Sequence, residues 1–236
     1  MRQAWFATAA LFVLLAGPIV LTGQQPESGW KRTFTVTPAD LATEGDNPYF
    51  VLRPGLSHVL EGKEEGASVR LVVSVLAQTE RVGGFDVRIV EERETRNGAL
   101  VEVSRNFMAI DTRTRDLYYF GEDVDIYKGG KVVSHEGAWR HGSGGASFGL
   151  MLPGTPAVGL RYYQELAPRI AMDRAEVVSL SERVTVPAGT FDACLKTEET
   201  TPLEPGTREY KVYAPGVGLV MDGTLALVSR SPAASR

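Results

Sequence analysis

The sequence predicts a mostly β protein: a single domain built as a curved antiparallel sheet, or an open or half barrel, with at most one or two short helices. Short stretches rich in β-branched and aromatic residues recur along the chain, and turns containing glycine, proline or asparagine separate them. Several of these stretches carry apolar residues on both faces. That pattern suits a sheet that curves around a filled interior and has some outer cover.

The N-terminal residues have the layout of a secretory signal. Arg2 supplies a positive start, residues 4–21 carry no charge, and the polar residues 22–25 follow. We therefore expect residues 1–23 to be a signal peptide and the mature protein to be exported, either periplasmic or extracellular, with no stable membrane insertion after cleavage. The alternative is an uncleaved anchor, because about 18 apolar residues are near the lower limit for spanning a bilayer.

Composition restricts the partners and the thiol chemistry. The chain has a net charge of −4, which changes to −5 when the one positive charge of Arg2 is removed with the signal. Basic residues are interspersed with acidic ones, so the sequence predicts no nucleic-acid partner. Cys194 is the single cysteine, so no internal disulfide can form. No Cys-His signature accompanies it, and we expect a packed, inert thiol.

Segment boundaries follow from the same pattern. About 213 residues remain after the signal, enough to bury roughly 70% of the unfolded surface in one substantial core. Residues 24–46 are mixed polar sequence and predict a flexible arm with at most one short strand, at 33–36. Residues 47–229 are expected to form the single β-rich domain, and residues 230–236 a disordered tail.

The first long strands are joined by clear turn signals. Residues 69–77 are β-rich, Gly83-Gly84 ends that strand, and residues 85–95 form the next. Asn97-Gly98 follows, the strongest two-residue hairpin signal.

A hairpin closed directly at that turn has a definite register. It places Arg93 opposite Glu102 and Val87 opposite Met108. Cross-strand pairs of opposite charge, and apolar pairs, each favour a register by roughly 0.2–1 kcal/mol. The sequence therefore predicts that Val87 and Met108 lie on the same face of the sheet.

Further strand candidates continue to the end of the chain. They are residues 117–120, 131–135, 150–153, 161–166, 176–186, 190–200, 207–213 and 218–228, with Trp139 in a short strand of its own. Turn sequences such as Pro187-Ala-Gly189 separate them. Residues 170–178 are a candidate short helix, which Pro168 and a following β-branched pair limit.

Four segments carry a resemblance to a known family. They are Asn47-Pro-Tyr-Phe-Val-Leu-Arg-Pro-Gly55, Leu117-Tyr-Tyr-Phe-Gly-Glu-Asp-Val-Asp125, Val186-Pro-Ala-Gly-Thr-Phe191 with Cys194-Leu195, and Pro202-Leu-Glu-Pro-Gly206 leading to Tyr213-Ala-Pro-Gly-Val-Gly218. In their order and spacing this chain resembles an uncharacterised family of exported bacterial proteins, from Asn47 to about Val220. The resemblance implies an exported β-rich fold, similar to the open half-barrels that carry lipoproteins or lipids. It implies no activity.

One departure from the family pattern bears on loop sites. The family's usual turn before the Tyr-Phe-Gly-Glu-Asp segment is Gly-Asn, whereas this chain has Thr112-Arg-Thr-Arg115. No loop-based site at this turn is therefore carried over from the resemblance.

Aromatic residues supply the candidate ligand site. Phe107, Trp139, Tyr162 and Tyr213 are candidates to line the interior of a curved sheet, where they would contact an apolar or lipid-like small molecule. The alternative is that they are ordinary core and rim residues.

Acidic residues supply the candidate metal site. Glu122, Asp123 and Asp125 form the densest acidic cluster of the chain. Calcium takes several oxygen ligands, so it is the possible cofactor here, although the twelve-residue calcium-loop pattern is missing. A solvated hairpin end is the alternative, and no other cofactor is expected. Glu165, Asp173 and Glu176 could join the cluster only if the fold brings them close.

No constellation predicts catalytic residues. Ser147 lies in a Gly-x-Ser-x-Gly match, but the strand before it and the helix after it that this motif requires are missing. His135 and His141 are six residues apart, not at the helical zinc-binding spacing.

Three classes of function remain open. The first expectation is a non-enzymatic binding or carrier module for an apolar or amphipathic ligand. The alternatives are a secreted hydrolase that uses carboxylates drawn from Glu122, Asp123, Asp125 and Glu165, and a structural envelope or interaction domain with a calcium-stabilised acidic loop.

Overall fold

The computed structural model describes residues 29–231. The predicted signal peptide, residues 1–23, and most of the predicted tail, residues 230–236, lie outside this range. Within residues 29–231 no helix is long and apolar enough to cross a membrane.

The described chain is almost entirely strand. The strands are β1 (Leu41–Ala42), β2 (Gly45–Asn47), β3 (Phe50–Leu52), β4 (Ser57–Glu64), β5 (Ala67–Val82), β6 (Phe85–Arg96), β7 (Ala99–Asp111), β8 (Leu117–Lys128), β9 (Lys131–Ser134), β10 (Trp139–Arg140), β11 (Ser147–Leu152), β12 (Arg161–Tyr163), β13 (Glu165–Leu166), β14 (Arg174–Val186), β15 (Gly189–Thr200), β16 (Glu209–Ala214), β17 (Gly218–Asp222) and β18 (Leu225–Ser231). The helical element found between residues 29 and 231 is one 3-10 turn, Pro38–Asp40.

The main sheet is nearly closed into a barrel. Its hydrogen-bonded order is β12-β14-β15-β16-β17-β18-β4-β5-β6-β7-β8-β11-β13, and the neighbours are antiparallel. The two end strands, β12 and β13, are separated in the chain by the single residue Gln164, which lies at the one seam. The structure therefore confirms the predicted class: mostly β, one domain, with a curved antiparallel sheet.

Burial alternates along the strands and identifies the inner face. In β5, Val69, Leu71, Val73 and Val75 are buried, whereas the intervening residues are more exposed. Because successive side chains of a strand point to opposite faces, these valines and Leu71 mark the interior of the barrel. Residues paired directly opposite them lie on the same face.

The hairpin turn between β6 and β7 is as predicted. Asn97 has φ 48° and Gly98 has φ 80°, and Arg96 pairs with Ala99. Positive φ at both central positions is the backbone that an Asn-Gly turn supplies.

The register beyond this turn differs from the prediction. A bulge follows the Thr95 pair, so Arg93 lies opposite Val103 and the predicted Arg93–Glu102 pairing is wrong. Met108 lies opposite Arg88, so Val87 and Met108 do not share a face. One extra residue in β7 causes the shift, because a one-residue slip turns every following side chain to the other side of the sheet.

Two further local expectations differ in outcome. Residues 33–36 form no strand, which is consistent with the expectation of at most one short strand there, and Phe34 and Val36 pack on the core as single side chains. The candidate helix is corrected. Residues 170–178 form no helix, because β14 already begins at Arg174. The β-branched residues in this stretch suit a strand better than a helix.

The β2–β3 hairpin forms a separate two-stranded sheet beside the main one. Phe50 and Leu52 of this hairpin are buried against the core of the barrel. The Asn47 side-chain amide anchors the hairpin by donating hydrogen bonds to the carbonyl oxygens of Arg115 and Pro153. The part of the predicted arm that follows residue 40 is therefore built into the fold.

Candidate functional site: the barrel interior

Two of the predicted aromatic residues meet inside the barrel. Tyr162 and Tyr213 are both 0% exposed, and Tyr213 lies opposite the fully buried Leu195. Burial raises the pKa of Tyr213 well above its usual range, and the neighbouring Glu199 and Tyr162 raise it further. These two phenols are therefore close and uncharged.

Trp139 also lies on the inner side, where it contacts acidic residues. It is paired with Glu122 in the β8–β10 ladder, and its Nε1 donates a hydrogen bond to Glu165 Oε2 at 2.6 Å. The ring of Tyr119 packs against the indole in a T-shaped contact, with centroids 5.2 Å apart.

Phe107 lies on the other side of the sheet. Its neighbours in β7, Asn106 and Met108, point inward, and Asn106 Oδ1 accepts a hydrogen bond from the Tyr119 hydroxyl. The guanidinium of Arg140 stacks over the Phe107 ring at 4.5 Å. The structure thus brings together Trp139, Tyr162 and Tyr213 on the inner face but not Phe107. Ligand binding by these residues stays a prediction.

The predicted acidic cluster is divided by the sheet. Glu122 is buried on the inner face, whereas Asp123 and Asp125 point outward. Outside, Asp123 is paired with Arg140 at 2.6 Å and Asp125 with Arg105 at 3.1 Å. Within residues 29–231, no group of three or more His, Cys, Asp or Glu side chains is placed to hold a metal ion.

Glu122 meets a different set of acidic residues inside the barrel. We call Glu122, Glu165 and Asp173 the carboxyl cluster. Neither oxygen of Glu122 has a hydrogen-bond partner within the described chain, and Glu165 Oε1 has none either. Glu122 is 0% exposed and Glu165 1% exposed, so these three oxygens are also shielded from water.

Burial and mutual repulsion favour the protonated form of the carboxyl cluster. Burial raises the pKa of Glu122 well above its usual range, and the negative charge of Glu165 adds to the effect. Burial also raises the pKa of Glu165 well above its usual range, and the negative charge of Asp173 raises it further. Burial and the charge of Glu199 raise the pKa of Asp173 to about 7. A carboxyl group removed from water, beside others of its kind, is less costly when uncharged.

A buried lysine neutralises the neighbouring part of the interior. The Lys211 ammonium is 1% exposed and lies 3.3 Å from Glu199 Oε2 and 3.8 Å from Asp222 Oδ1. Burial lowers the pKa of Lys211, but the charges of Asp222 and Glu199 outweigh it, and the net pKa is raised. This ion pair is therefore charged, in contrast to the carboxyl cluster.

An apolar pocket lies against the β2–β3 hairpin, and we call it the hairpin pocket. Its lining comprises Phe50, Val51, Leu56, His58, Val73, Val75, Val217, Gly218 and Leu219. Its volume of about 10 Å³ leaves room for one water molecule. Burial, followed by the charge of Arg230, lowers the pKa of His58 to about 4. The His58 ring is therefore neutral, and its Nε2 has no hydrogen-bond partner among residues 29–231.

The remaining sequence candidates occupy ordinary positions. Ser147 is exposed at the start of a strand rather than before a helix. Cys194 is buried, and burial raises the pKa of its thiol. His135 Nδ1 bonds to the Val124 carbonyl oxygen, and the His141 ring packs edge-on to that of Phe148.

Sequence reasoning missed His58 and Lys211. A signal for Lys211 was available, because it lies two residues before Tyr213 and so shares the inner face of the same strand. His58 offered no comparable signal, since the pocket forms only when residues near it in sequence meet Val73, Val75 and residues 217–219 from distant parts of the chain.

No protein-family model, curated protein or solved structure matches this chain.

Proposed function

We propose that this protein is an exported, non-enzymatic carrier that binds an apolar or amphipathic ligand in the hairpin pocket. The observation that carries the proposal is the chemistry of the pocket lining: apolar side chains surround one buried polar atom, His58 Nε2, that has no partner within residues 29–231. Ligand sites commonly combine an apolar wall with a few oriented polar groups. A ligand with an apolar body and one hydrogen-bonding group matches that combination.

The β2–β3 hairpin supplies the route of entry. Phe50 and Val51 of β3 form part of the pocket wall, and the hairpin pairs with itself rather than with the main sheet. Its displacement breaks side-chain packing, the Gly216 N–H to Pro48 carbonyl bond, 2.8 Å long, and the hydrogen bonds that the Asn47 amide donates to carbonyl oxygens of the barrel, but no ladder of the barrel. Because the closed pocket has room for one water molecule, a larger ligand displaces the hairpin.

Two inferences from the sequence agree with a carrier. The signal-like residues 1–23 favour export, and the four segments that resemble exported bacterial proteins imply a lipid-carrying kind of fold. Neither identifies the ligand. Native mass spectrometry of protein purified from its own host would identify what co-purifies.

The carboxylate-dependent hydrolase is the weaker candidate. Glu122 and Glu165 do come together, as such a mechanism requires, but both are buried without access for a substrate. Asp123 and Asp125 lie on the outer face and in ion pairs. A structural envelope domain would bind no small ligand saturably, so a binding titration with an apolar probe separates it from a carrier.

The test is titration of the mature protein with N-phenyl-1-naphthylamine, an uncharged apolar fluorescent probe. We expect saturable binding that dodecanoate competes away. Val217→Arg places a charge at the pocket, where residue 217 is 8% exposed, and should raise the Kd about tenfold or more. Val133→Arg makes the same change on β9, where the valine is 58% exposed, and should leave the Kd unchanged.

Two results would overturn the proposal: no saturable binding, or equal weakening by both arginine variants. Circular dichroism would show whether Val217→Arg folds. If it does not, Phe50→Ala provides the second measurement, since removing part of the pocket wall should tighten binding of the bulky probe. An unchanged or weaker affinity in Phe50→Ala would then count against the hairpin pocket.

A further inference from the structure

The circle of strands is weakest where β11 meets β13. Two residue pairs join these strands, Ser147 with Leu166 and Phe148 with Glu165. The β17–β18 ladder also has two pairs, but a tight turn ties its strands together. No such turn ties β11 to β13, so this joint is the place where the barrel can open with the least loss of backbone hydrogen bonds.

The carboxyl cluster lies at this joint. Glu165 is itself a residue of β13, and Glu122 belongs to β8, which pairs with β11. The Asp173 carbonyl accepts hydrogen bonds from the N–H groups of Gln164 at 2.8 Å and Glu165 at 3.2 Å. The three carboxyl groups therefore come from chain segments on both sides of the joint between β11 and β13.

We propose that Glu122, Glu165 and Asp173 form a proton-controlled latch: the joint between β11 and β13 is closed while they are uncharged and opens when they ionise. Glu122 is fully buried, and neither of its oxygens has a hydrogen-bond partner within residues 29–231. In a cluster that only stabilises the fold, buried oxygens of this kind would be hydrogen-bonded. Ionised, the Glu122 oxygens need hydrogen-bond donors or water, and opening the joint admits water. The latch does not depend on whether a ligand binds in the hairpin pocket.

The groups that surround the carboxyl cluster favour protonation. The charged or titratable ones that act on it are Glu92 of β6, Glu102 of β7, Tyr119 of β8, Glu199 of β15, Glu204 beyond β15 and Lys211 of β16. Lys211 is the one cation among them, and it is already paired with Glu199 and Asp222. An ionised cluster would thus face additional negative charge at low dielectric.

The direction of the pH effect follows from linkage. The pKa values of Glu122, Glu165 and Asp173 are raised in the closed barrel, that of Asp173 to about 7. The closed form therefore holds protons that the open, hydrated form releases. Closure is fully favoured below the ordinary carboxyl pKa and is progressively lost as the pH rises through neutrality.

Hydrogen exchange measured by mass spectrometry tests the latch on the ligand-free mature protein. Exchange is compared at about pH 6 and about pH 8.5 after correction for the intrinsic rate of each amide. In the wild type we expect peptides that cover residues 147–152 and 161–166 to lose protection about tenfold or more at the higher pH. Peptides that cover the long β5–β6 ladder should keep theirs.

Variants separate the latch from general alkaline loosening. Glu122→Gln/Glu165→Gln keeps the size of both side chains but cannot ionise, so protection at the joint should become independent of pH. Glu176→Gln, which removes an outer-face carboxylate bound to Arg161, is the matched control and should behave as the wild type. If the double variant does not fold, Asp173→Asn should reduce the pH dependence on its own.

Three results would overturn the latch. The first is loss of protection spread evenly over the barrel, and the second is a joint that is equally protected at both pH values. The third is full pH dependence in the folded glutamine variant, or in Asp173→Asn where that variant is used. Failure of probe binding at the hairpin pocket leaves all of these measurements unaffected.

Discussion

Trp139 and Glu165 are joined by a hydrogen bond from the indole Nε1 to the carboxyl Oε2, 2.6 Å long and shielded from solvent. The second oxygen of Glu165 has no partner within residues 29–231. The indole bond also lowers the pKa of Glu165 against the larger effect of burial. One tryptophan on the two-residue strand β10 therefore fixes the position of a carboxyl group at the barrel seam.

Replacing Trp139 with Phe should remove this bond while keeping an aromatic ring against Tyr119. Leaving Glu165 buried with no donor should lower the free energy of unfolding by about 1–3 kcal/mol. Guanidinium unfolding followed by circular dichroism measures it. Trp30→Phe is the control, because the indole of Trp30 acts by ring contacts with Tyr163 and Arg174. Equal losses in the two variants would mean that the hydrogen bond does not stabilise the barrel.

The sequence predicted the features that depend on neighbouring residues. Asn97-Gly98 was recognisable because positive φ is a local requirement that few residue pairs meet. The bulge that follows is different, because it depends on which residues of β7 suit the interior. The shift places Glu94 opposite Glu102, a pairing of like charges that cross-strand rules disfavour. No local rule would have selected it.

In the candidate site, too, features set by neighbouring residues could be predicted and features set by long-range pairing could not. Glu122, Asp123 and Asp125 are close in sequence, and that closeness suggested one cluster. In a strand the side chains of residues 122 and 123 point to opposite faces, so they separate. Glu165 and Asp173 could be placed near Glu122 only by knowing which strands meet at the seam, and that pairing is a long-range property of the fold.

Gly98→Val should destabilise the β6–β7 hairpin. Gly98 has φ 80°, and a β-branched residue resists this conformation at a cost of about 1–3 kcal/mol. Gly98→Asn is the control, because asparagine tolerates left-handed backbone. Thermal unfolding of the three proteins checks this. We expect Val to lower the Tm clearly and Asn to lower it little, and a Val variant that melts with the wild type would contradict the turn geometry.

Lys211→Met should be among the most damaging single changes in the interior. It removes the ammonium that lies between Glu199 and Asp222, and so leaves the buried Asp222 and the largely buried Glu199 without this cation. Breaking one partner out of a buried ion pair costs about 3–5 kcal/mol. Adding Asp222→Asn should recover part of the loss, which a double-mutant cycle measures from denaturant unfolding. Additive losses would show that Lys211 and Asp222 do not interact.

His58 should make the protein lose stability in mild acid. Burial lowers its pKa in the folded protein to about 4, against an ordinary value of 6.5. As the pH falls from about 6.5 to about 4, the unfolded chain takes up a proton that the folded chain does not, so unfolding becomes easier by about 2–4 kcal/mol. His58→Gln should remove this part of the acid sensitivity, whereas His135→Gln, at a side chain 70% exposed, should not.

Denaturant unfolding at about pH 7 and about pH 4.5 gives the difference in the free energy of unfolding for each protein. The carboxyl groups titrate alike in all three, so their contribution cancels between variants. The same acid sensitivity in His58→Gln as in the wild type would show that the imidazole is not held neutral in the hairpin pocket.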